Sequence, residues 1–278
     1  LEVLRAVGSG IEARLVGQIG GDLKANATRP LLVDQYIRKR LGKHARPGSF
    51  GLRRLASMLH EQIAYSIAEP SFDEFMRAQG LSFAECDLLF KTDLLILRAG
   101  RISFSHEMIL NACAAFDLAR AAATDPASFG QRLSTPILEP ISGDVVAAIE
   151  DASVCRAVLS DVMSSSLLAR AAGGHFGAVA TRTALDLLKE TTDECIAEIR
   201  GARLVLSREG RAIRIGWEDG TRRKWTFAEE ARLRAVGRRA ALGPGIEIVL
   251  NLCAEMDSHL ASEQRRWADF ARKEQYPI

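Results

Sequence analysis

Apolar positions three and four residues apart predict helices along the first part of the chain. After Pro30 the apolar residues keep this spacing as far as Leu41, and three basic residues near the end suit the negative end of a helix. The stretch 42–48 contains glycine and proline and predicts a linker. Ser49 is then the expected N-cap of a second helix, whose apolar stripe consists of Leu52, Leu55, Leu59, Ile63 and Ile67.

Two capping boxes predict two short helices after that stripe. In each box a serine lies three residues before a glutamate, so that each side chain can bond the other's backbone N–H. The pairs are Ser71 with Glu74 and Ser82 with Glu85, and Glu69-Pro70 is the expected end of the preceding helix. The second box predicts a helix that ends near residue 90.

A β-hairpin is predicted directly after these helices. Apolar residues 94–97, a turn, and residues 102–104 form the two expected strands. Ser105 is the expected N-cap of the helix that follows. Three helices, a hairpin and a closing helix give the element order of a winged-helix domain with a connecting helix, which we predict for residues 46–123.

The pattern changes twice in the remaining residues. As far as about residue 200, proline and glycine break the chain into helical segments that suit antiparallel pairs, and a HEAT-like array is one option, although no clean repeat period is present. From Leu204 to Phe227 polar and apolar residues alternate, with turn signals at Glu209-Gly210 and Asp219-Gly220. A β-meander is therefore predicted there, and two further helices after it.

The predicted fold class is mainly α, with a winged-helix domain followed by an α-helical region that carries one small antiparallel β-meander. The 41 alanines and the aromatic content of 6% favour helices in a chain of 278 residues. The predicted domains are the end of a helical domain (1–45), the winged-helix domain (46–123), and a helical sensor-like region (124–278) with a hairpin insert at about 203–227.

Charge and cysteine content indicate where in the cell we expect the protein. The longest stretch without Asp, Glu, Lys or Arg is 171–181, which is shorter than the roughly 20 apolar residues that a membrane span needs, so we expect no membrane partner. The 5 cysteines are an odd number and form no CxxC pair, so the expected location is a reducing cytoplasm.

No sequence motif in this chain predicts catalysis. The P-loop pattern GxxxxGK[ST] is missing, as are GxGxxG, GxSxG and HExxH, so we do not expect the chain itself to be an enzyme. None of the 5 histidines has a second His or Cys at the spacing of metal ligands, and no metal site is predicted.

His106 is the histidine with a candidate role. It lies in the first turn of the helix that leaves the hairpin, where free N–H groups and the positive end of the helix dipole favour a phosphate. Glu107 in the same turn opposes an anion. The residues alone therefore favour an ordinary histidine at a helix start over an anion site.

Residues 93–123 nevertheless resemble the end of the winged-helix domain in STAND-class signalling NTPases of the NACHT type. Phe104 and His106 match the Phe-x-His motif of that family, and the resemblance implies that His106 contacts the β-phosphate of bound ADP. Upstream, residues 28–32 resemble the helical-domain segment in which a proline, here Pro30, lies against the adenine. The similarity covers roughly residues 20–123.

The resemblance implies a regulatory segment whose ADP or ATP is held mainly by an upstream P-loop domain that is not in this chain. The chain begins at Leu1, not Met, and we expect it to be a piece of a longer protein that is an ATPase. The implied partners are that upstream domain and a protein or other ligand at the helical sensor region. Oligomerisation on activation is left open.

A basic segment offers an alternative function. Between Arg200 and Ala240 there are 11 Arg and one Lys against 5 acidic residues, a net charge of +7, so the rest of the chain sums to −5. On the predicted meander Arg214, Arg222 and Lys224 share one face, which could contact nucleic acid. The competing interpretation is a solvated face whose arginines pair with acidic helices of the same chain.

Two observations make a winged-helix nucleic-acid-binding regulator the less favoured alternative. With a three-residue loop at 218–220, the predicted register turns Trp217 and Trp225 inward, away from bases. The expected recognition helix, 82–90, carries Glu85 and Asp87 and no basic residue, and an acidic helix repels phosphates. The predicted hairpin of residues 94–104 is the wing of the domain, and its Arg98 and Arg101 keep the alternative open.

Overall fold

The computed structural model describes residues 17, 19, 28–201, 204–209, 212–217 and 226–241. They are mostly helical, with one three-stranded and one two-stranded antiparallel sheet, which confirms the mainly α fold class with a small β-meander. The chain forms two compact units. The first contains the described residues up to Val162 together with Arg170–Ala184, and the second contains Met163–Ala169 and the described residues from Leu185 onward.

The elements are numbered in chain order. Helices α1 to α5 are Arg29–Leu41, Ala45–Glu61, Glu69–Ala78, Phe83–Lys91 and Glu107–Ala122. Helices α6 to α11 are Pro126–Arg132, Glu139–Ala148, Ala152–Ser160, Ser165–Ala172, Ala178–Gly201 and Phe227–Ala241. Strands β1 to β5 are Ser66–Ala68, Leu95–Arg98, Arg101–Phe104, Leu204–Glu209 and Ala212–Trp217.

Elements α2 to β3 have the topology of a winged-helix domain. Their order is α2-β1-α3-α4-β2-β3, and the strands lie side by side in the order β1-β3-β2. Ile102 of β3 faces Ile67 of β1 on one side and Leu97 of β2 on the other. Helix α5 leaves this sheet and packs most extensively on α2.

Strand β1 corrects the predicted apolar stripe of α2. The helix ends at Glu61, and Ile63 has a φ of 52°, the left-handed conformation that commonly closes a helix. Ile63 and Ile67 therefore do not continue the stripe. Ile67 instead pairs across strands, a contact that a helical period could not reveal.

The predicted linker at 42–48 is also wrong, because the segment is helical. Residues Gly42–His44 form a single 3₁₀ turn, and α2 begins at Ala45, so Ser49 lies inside the helix and does not cap it. Gly42 has a φ of 54°, which lets α1 end and the chain restart at once. Gly48 lets the two helices approach closely, because an added Cβ would lie 2.7 Å from Leu41 Cδ1.

Of the predicted helix starts, one is confirmed. Ser82 and Glu85 form the capping box at α4: Ser82 N–H donates to Glu85 Oε2 at 2.8 Å, and Glu85 N–H donates to Ser82 Oγ at 3.4 Å. The Ser71–Glu74 box is wrong, because α3 begins at Glu69. Pro70 lies in the first turn, where the backbone N–H that proline lacks would have no acceptor within the helix.

The hairpin of β2 and β3 is confirmed. Arg98 pairs with Arg101, so the loop consists of Ala99 and Gly100, whose φ values are 48° and 71°. Positive φ at both central positions is the geometry of the tight turns that match strand twist. The predicted N-cap Ser105 is wrong, since His106 occupies that position.

Helix α1 packs against the winged-helix core. It contacts α2, α5 and α7, and it buries Leu32, Val33 and Ile37. Helix α7 also packs on α5, and α6 packs on α8. The division predicted between residues 45 and 46 therefore falls within one compact unit.

In the second unit, β4 and β5 pair in an antiparallel arrangement in which Glu209 lies opposite Ala212, which agrees with the strands that the sequence predicts there. Helix α11 begins with a capping box in which Thr226 N–H donates to Glu229 Oε2 at 2.7 Å. Arg232 Nε of α11 donates to Thr191 Oγ1 of α10 at 2.7 Å. The predicted turn at 218–220, with its register, and the last helix lie outside the described residues.

Candidate functional site

His106 is the N-cap of α5. Its backbone is extended, with a φ of −150°, and its Nδ1 accepts the backbone N–H of Met108 at 3.0 Å. An N-cap side chain satisfies one of the free N–H groups at a helix start. The ring therefore has a local structural role, which sequence reasoning did not predict.

The cap also fixes the orientation of the ring. Because Nδ1 accepts, a neutral His106 carries its proton on Nε2, which is then a donor. The side chain is exposed, and no residue that the structure describes bonds to Nε2. Glu107, also exposed, is the acidic neighbour in the first turn. The site offers one outward N–H donor at the positive end of a helix.

Pro30 is in a different environment. It lies in the first turn of α1 and is buried, and Thr28, the N-cap residue of this helix, donates its hydroxyl to the Ala147 carbonyl at 3.3 Å. Of the two residues predicted to touch a nucleotide, only His106 is exposed. A contact between Pro30 and adenine stays a prediction.

The predicted nucleic-acid face lies mostly outside the described residues. Arg214 is in β5, opposite Ser207 of β4. Arg222 and Lys224 are not among the residues that the structure describes. Nucleic-acid binding by this face stays a prediction.

The β2–β3 hairpin is the wing, and α4 is the expected recognition helix, so these two elements would meet DNA. Arg101 donates to Ser66, with Nε 2.8 Å from the hydroxyl and Nη2 2.9 Å from the carbonyl, so it holds β1 against β3. On α4, Lys91 pairs with Asp87 at 2.6 Å. The helix that would enter a DNA groove is thus acidic at its start and has its one lysine paired.

A cavity of about 530 Å³ lies between α3, α4 and the sheet, and we call it the acidic groove. Its carboxylates are Glu69, Asp73, Asp87 and Asp93, against one cation, Arg98. Apolar side chains form the rest of the lining, including Phe83, which is 86% exposed.

A second cavity, of about 750 Å³, has the opposite charge, and we call it the basic groove. It lies where the end of α1, the start of α2 and the end of α5 meet. The described residues that line it include no carboxylate and four guanidinium groups, those of Arg38, Arg46, Arg53 and Arg120. Sequence reasoning missed this site, because the four arginines are spread over more than 80 residues and meet only through helix packing.

Asp34 holds two of these arginines. Its carboxylate, 8% exposed, accepts from Arg38 Nε at 2.6 Å and from Arg53 Nη2 at 2.7 Å. The Arg53 guanidinium also lies 4.4 Å from the centroid of the Phe116 ring. Arg46 and Arg120 are exposed and form no ion pair with any described residue.

Two cysteines in the described part of the chain are buried and unreactive. Burial raises the pKa of the Cys113 thiol to about 12 and that of Cys155 to about 11, so both stay protonated at neutral pH. Within the described ranges, no group of three or more His, Cys, Asp or Glu side chains could hold a metal ion. No described helix is long and apolar enough to cross a membrane.

No known protein family, no curated protein and no solved structure matches this chain.

Proposed function

We propose that this chain is a regulatory segment of a STAND-type signalling NTPase, in which His106 contacts the phosphates of a bound nucleotide. The observation that carries the proposal is the cap at the start of α5. Met108 N–H fixes Nδ1 as an acceptor, so the exposed ring carries its donor on Nε2, beside the positive end of a 16-residue helix.

Two features support the winged helix as the module that carries this donor. The sheet order β1-β3-β2 places β3, which leads into His106, in the centre of the sheet, so the donor follows a strand paired on both sides. Phe104, two residues earlier, is buried. The turn that positions the histidine is therefore anchored in the core.

The mechanism follows from differential contacts. His106 Nε2–H would donate to a phosphate of an ADP held by an upstream P-loop domain, and this contact would keep the winged helix docked. Exchange for ATP, or binding of a partner to the helical region, removes that contact and shifts the equilibrium to an undocked state. The chain itself contributes a contact that senses the nucleotide and no hydrolytic group.

Substitutions at His106 test the proposal in the full-length parent protein. His106→Ser keeps an N-cap acceptor but loses the outward N–H, so the fold is retained while ADP is released faster. Hydrogen bonds to charged groups contribute about 1.5–3 kcal/mol, so we expect ADP dissociation to accelerate about tenfold or more. Stopped-flow release of a fluorescent ADP measures the rate.

His175→Ser is the matched control. His175 is also exposed, and its ring nitrogen Nδ1 lies 3.0 Å from the Arg170 carbonyl. It is not part of the proposed phosphate contact, so we expect its replacement to leave ADP release unchanged. Equal release rates in wild type and His106→Ser contradict the proposal. So does a parent sequence with no P-loop motif within roughly 200 residues upstream, the size of one domain.

A further inference from the structure

We propose that the basic groove binds an oligophosphate, a group of two or more linked phosphates, either as an inorganic anion or as part of a nucleotide. The site is separate from the one proposed at His106. Arg120 lies fourteen residues after His106 along α5, which is about 21 Å at 1.5 Å per residue. The inference therefore does not depend on the proposed function.

The charge of the basic groove favours an anion. Four guanidinium groups line the groove, and none of the described residues adds a carboxylate to the lining. Each guanidinium has five N–H donors, and Asp34 engages one donor of Arg38 and one of Arg53 in the bonds described above. Donors remain on both of these groups, and Arg46 and Arg120 have no ion-pair partner among the described residues.

The guanidinium of Arg53 is preorganised for an anion. Arg53 is held from one side by Asp34 and from another by the Phe116 ring. A planar guanidinium fixed in this way loses little side-chain entropy when it binds an anion, and its paired donors match the oxygens of a phosphate. Arg53 is thus positioned before a ligand arrives.

The lining of the basic groove also contains a buried hydroxyl that lacks an acceptor. Ser49 lines the groove and is 6% exposed, and its hydroxyl has no hydrogen-bond partner in the part of the chain that the structure describes. An unpartnered buried hydroxyl destabilises a fold, so native proteins contain few of them. An anion in the groove provides the missing acceptor.

The positions of the arginines argue against a purely structural explanation. Arg38 and Arg120 lie in the last turns of α1 and α5, where any cation is favourable. Arg46 lies instead in the first turn of α2, which contains no acidic residue and presents its positive end to the same cavity. Capping of helix ends does not explain a cation there.

The size of the cavity favours more than a single phosphate. Small-molecule sites typically measure about 300–1,000 Å³, and the basic groove has a volume of about 750 Å³. Phe50, 38% exposed, adds an aromatic face to the lining. The phosphates would lie on the arginines, and Phe50 is where a nucleotide base could stack.

Titration calorimetry of the chain with inorganic pyrophosphate tests the proposal at low ionic strength, where charge interactions are least screened. We expect the Arg46→Gln/Arg120→Gln double variant to bind about tenfold more weakly or worse. These side chains are exposed and unpaired, so the fold is kept. The matched control is the Arg98→Gln/Arg182→Gln double variant. It removes the same number of positive charges from exposed positions outside the basic groove, so we expect it to keep wild-type affinity.

Two further variants separate the contributions. Ser49→Ala removes the unpartnered hydroxyl, so we expect pyrophosphate affinity to fall about threefold to tenfold while the thermal midpoint of the free chain stays equal or rises. His106→Ser keeps wild-type pyrophosphate affinity, so a failure of either proposal is visible without the other.

Several results would overturn the oligophosphate site. One is that the chain does not bind pyrophosphate at concentrations up to about 1 mM. Another is that the Arg46→Gln/Arg120→Gln variant or Ser49→Ala binds pyrophosphate as tightly as the wild type. A third is that the control pair Arg98→Gln/Arg182→Gln loses as much affinity as the Arg46→Gln/Arg120→Gln variant. Binding of single-stranded RNA that pyrophosphate fails to displace would also contradict it. ADP distinguishes the two sources: tighter binding than pyrophosphate, lost in Phe50→Leu, indicates a nucleotide, and equal binding indicates the inorganic group.

Discussion

The basic groove and the acidic groove belong to the same compact unit and are built in opposite ways. The basic groove is bounded by helix ends, and two of its four cations, Arg38 and Arg53, are positioned by one buried carboxylate, that of Asp34. The acidic groove is bounded by two helices and the sheet, and its carboxylates surround an apolar lining. One surface is organised by ion pairs and the other by packing.

The difference teaches where each surface takes its rigidity. Beneath the acidic groove, Phe90 meets the fully buried Phe72 edge-on, with ring centroids 5.7 Å apart. Aromatic packing of this kind is insensitive to salt, whereas the Asp34 pairs weaken as salt screens them. Substitutions at the two sites should therefore differ both in size and in salt dependence.

The largest expected effect is at the acidic groove. Phe72→Ala removes a fully buried ring, so we expect the free energy of unfolding to fall by about 3–5 kcal/mol, with little dependence on salt. Urea denaturation followed by circular dichroism measures the change. Phe83→Ala is the control: that ring is 86% exposed, and its loss should change stability by about 0.5 kcal/mol or less. Equal losses in the two variants would refute the packing explanation.

An intermediate effect is expected at the basic groove. Asp34→Asn leaves two guanidinium groups without their carboxylate, and because both are partly exposed we expect a loss of about 2 kcal/mol that shrinks in 1 M salt. Asp117→Asn is the matched control, since Asp117 is equally buried but pairs with Arg54 alone, at 3.0 Å. Asp117→Asn should therefore lower the free energy of unfolding by less than Asp34→Asn does. Urea denaturation of both variants measures the two losses, and a larger loss in Asp117→Asn would contradict this explanation.

The smallest effect concerns pH and involves neither groove. Burial lowers the pKa of His60 below its ordinary value of 6.5, and its ring bonds Asn111 across α2 and α5. The unfolded chain then takes up a proton at higher pH than the folded chain does. Stability is therefore complete above about pH 6.5 and falls as the pH drops below it, until the folded pKa is passed.

His60→Gln should remove this pH dependence, because glutamine keeps a hydrogen bond to Asn111 and does not titrate. The measurement is the urea midpoint at several values from pH 8 to pH 5, with His175→Gln as the exposed control. A slope that persists unchanged in His60→Gln would assign it to other groups.

Local signals in the sequence predicted elements whose contacts are local. The Ser82–Glu85 box spans four residues and is confirmed, and the β2–β3 hairpin has a two-residue turn. Strand β1 was missed because it has three residues and its partner Ser103 lies far along the chain from Ser66. Helical periodicity continued through Ile63 and gave no sign of the left-handed residue that ends α2.

The candidate sites divide in the same way. His106 was predicted from its position at a helix start, but its role as the N-cap depends on which ring nitrogen meets Met108, which only the folded geometry decides. The basic groove could not be predicted, because Arg38 and Arg120 become neighbours only when α1 and α5 pack on α2. Its partial signal, the basic run at the end of α1, was accounted for by the helix dipole.

Arg53 connects three helices through one side chain. It belongs to α2, its carboxylate partner belongs to α1, and the ring beneath it belongs to α5. Detachment of α1 must therefore also release Arg53 and dismantle the basic groove. By mass action, a ligand that binds only the assembled groove opposes that detachment by about 2.7 kcal/mol when present at one hundred times its dissociation constant. The concentration of a small anion would then control whether α1 stays docked on the winged helix.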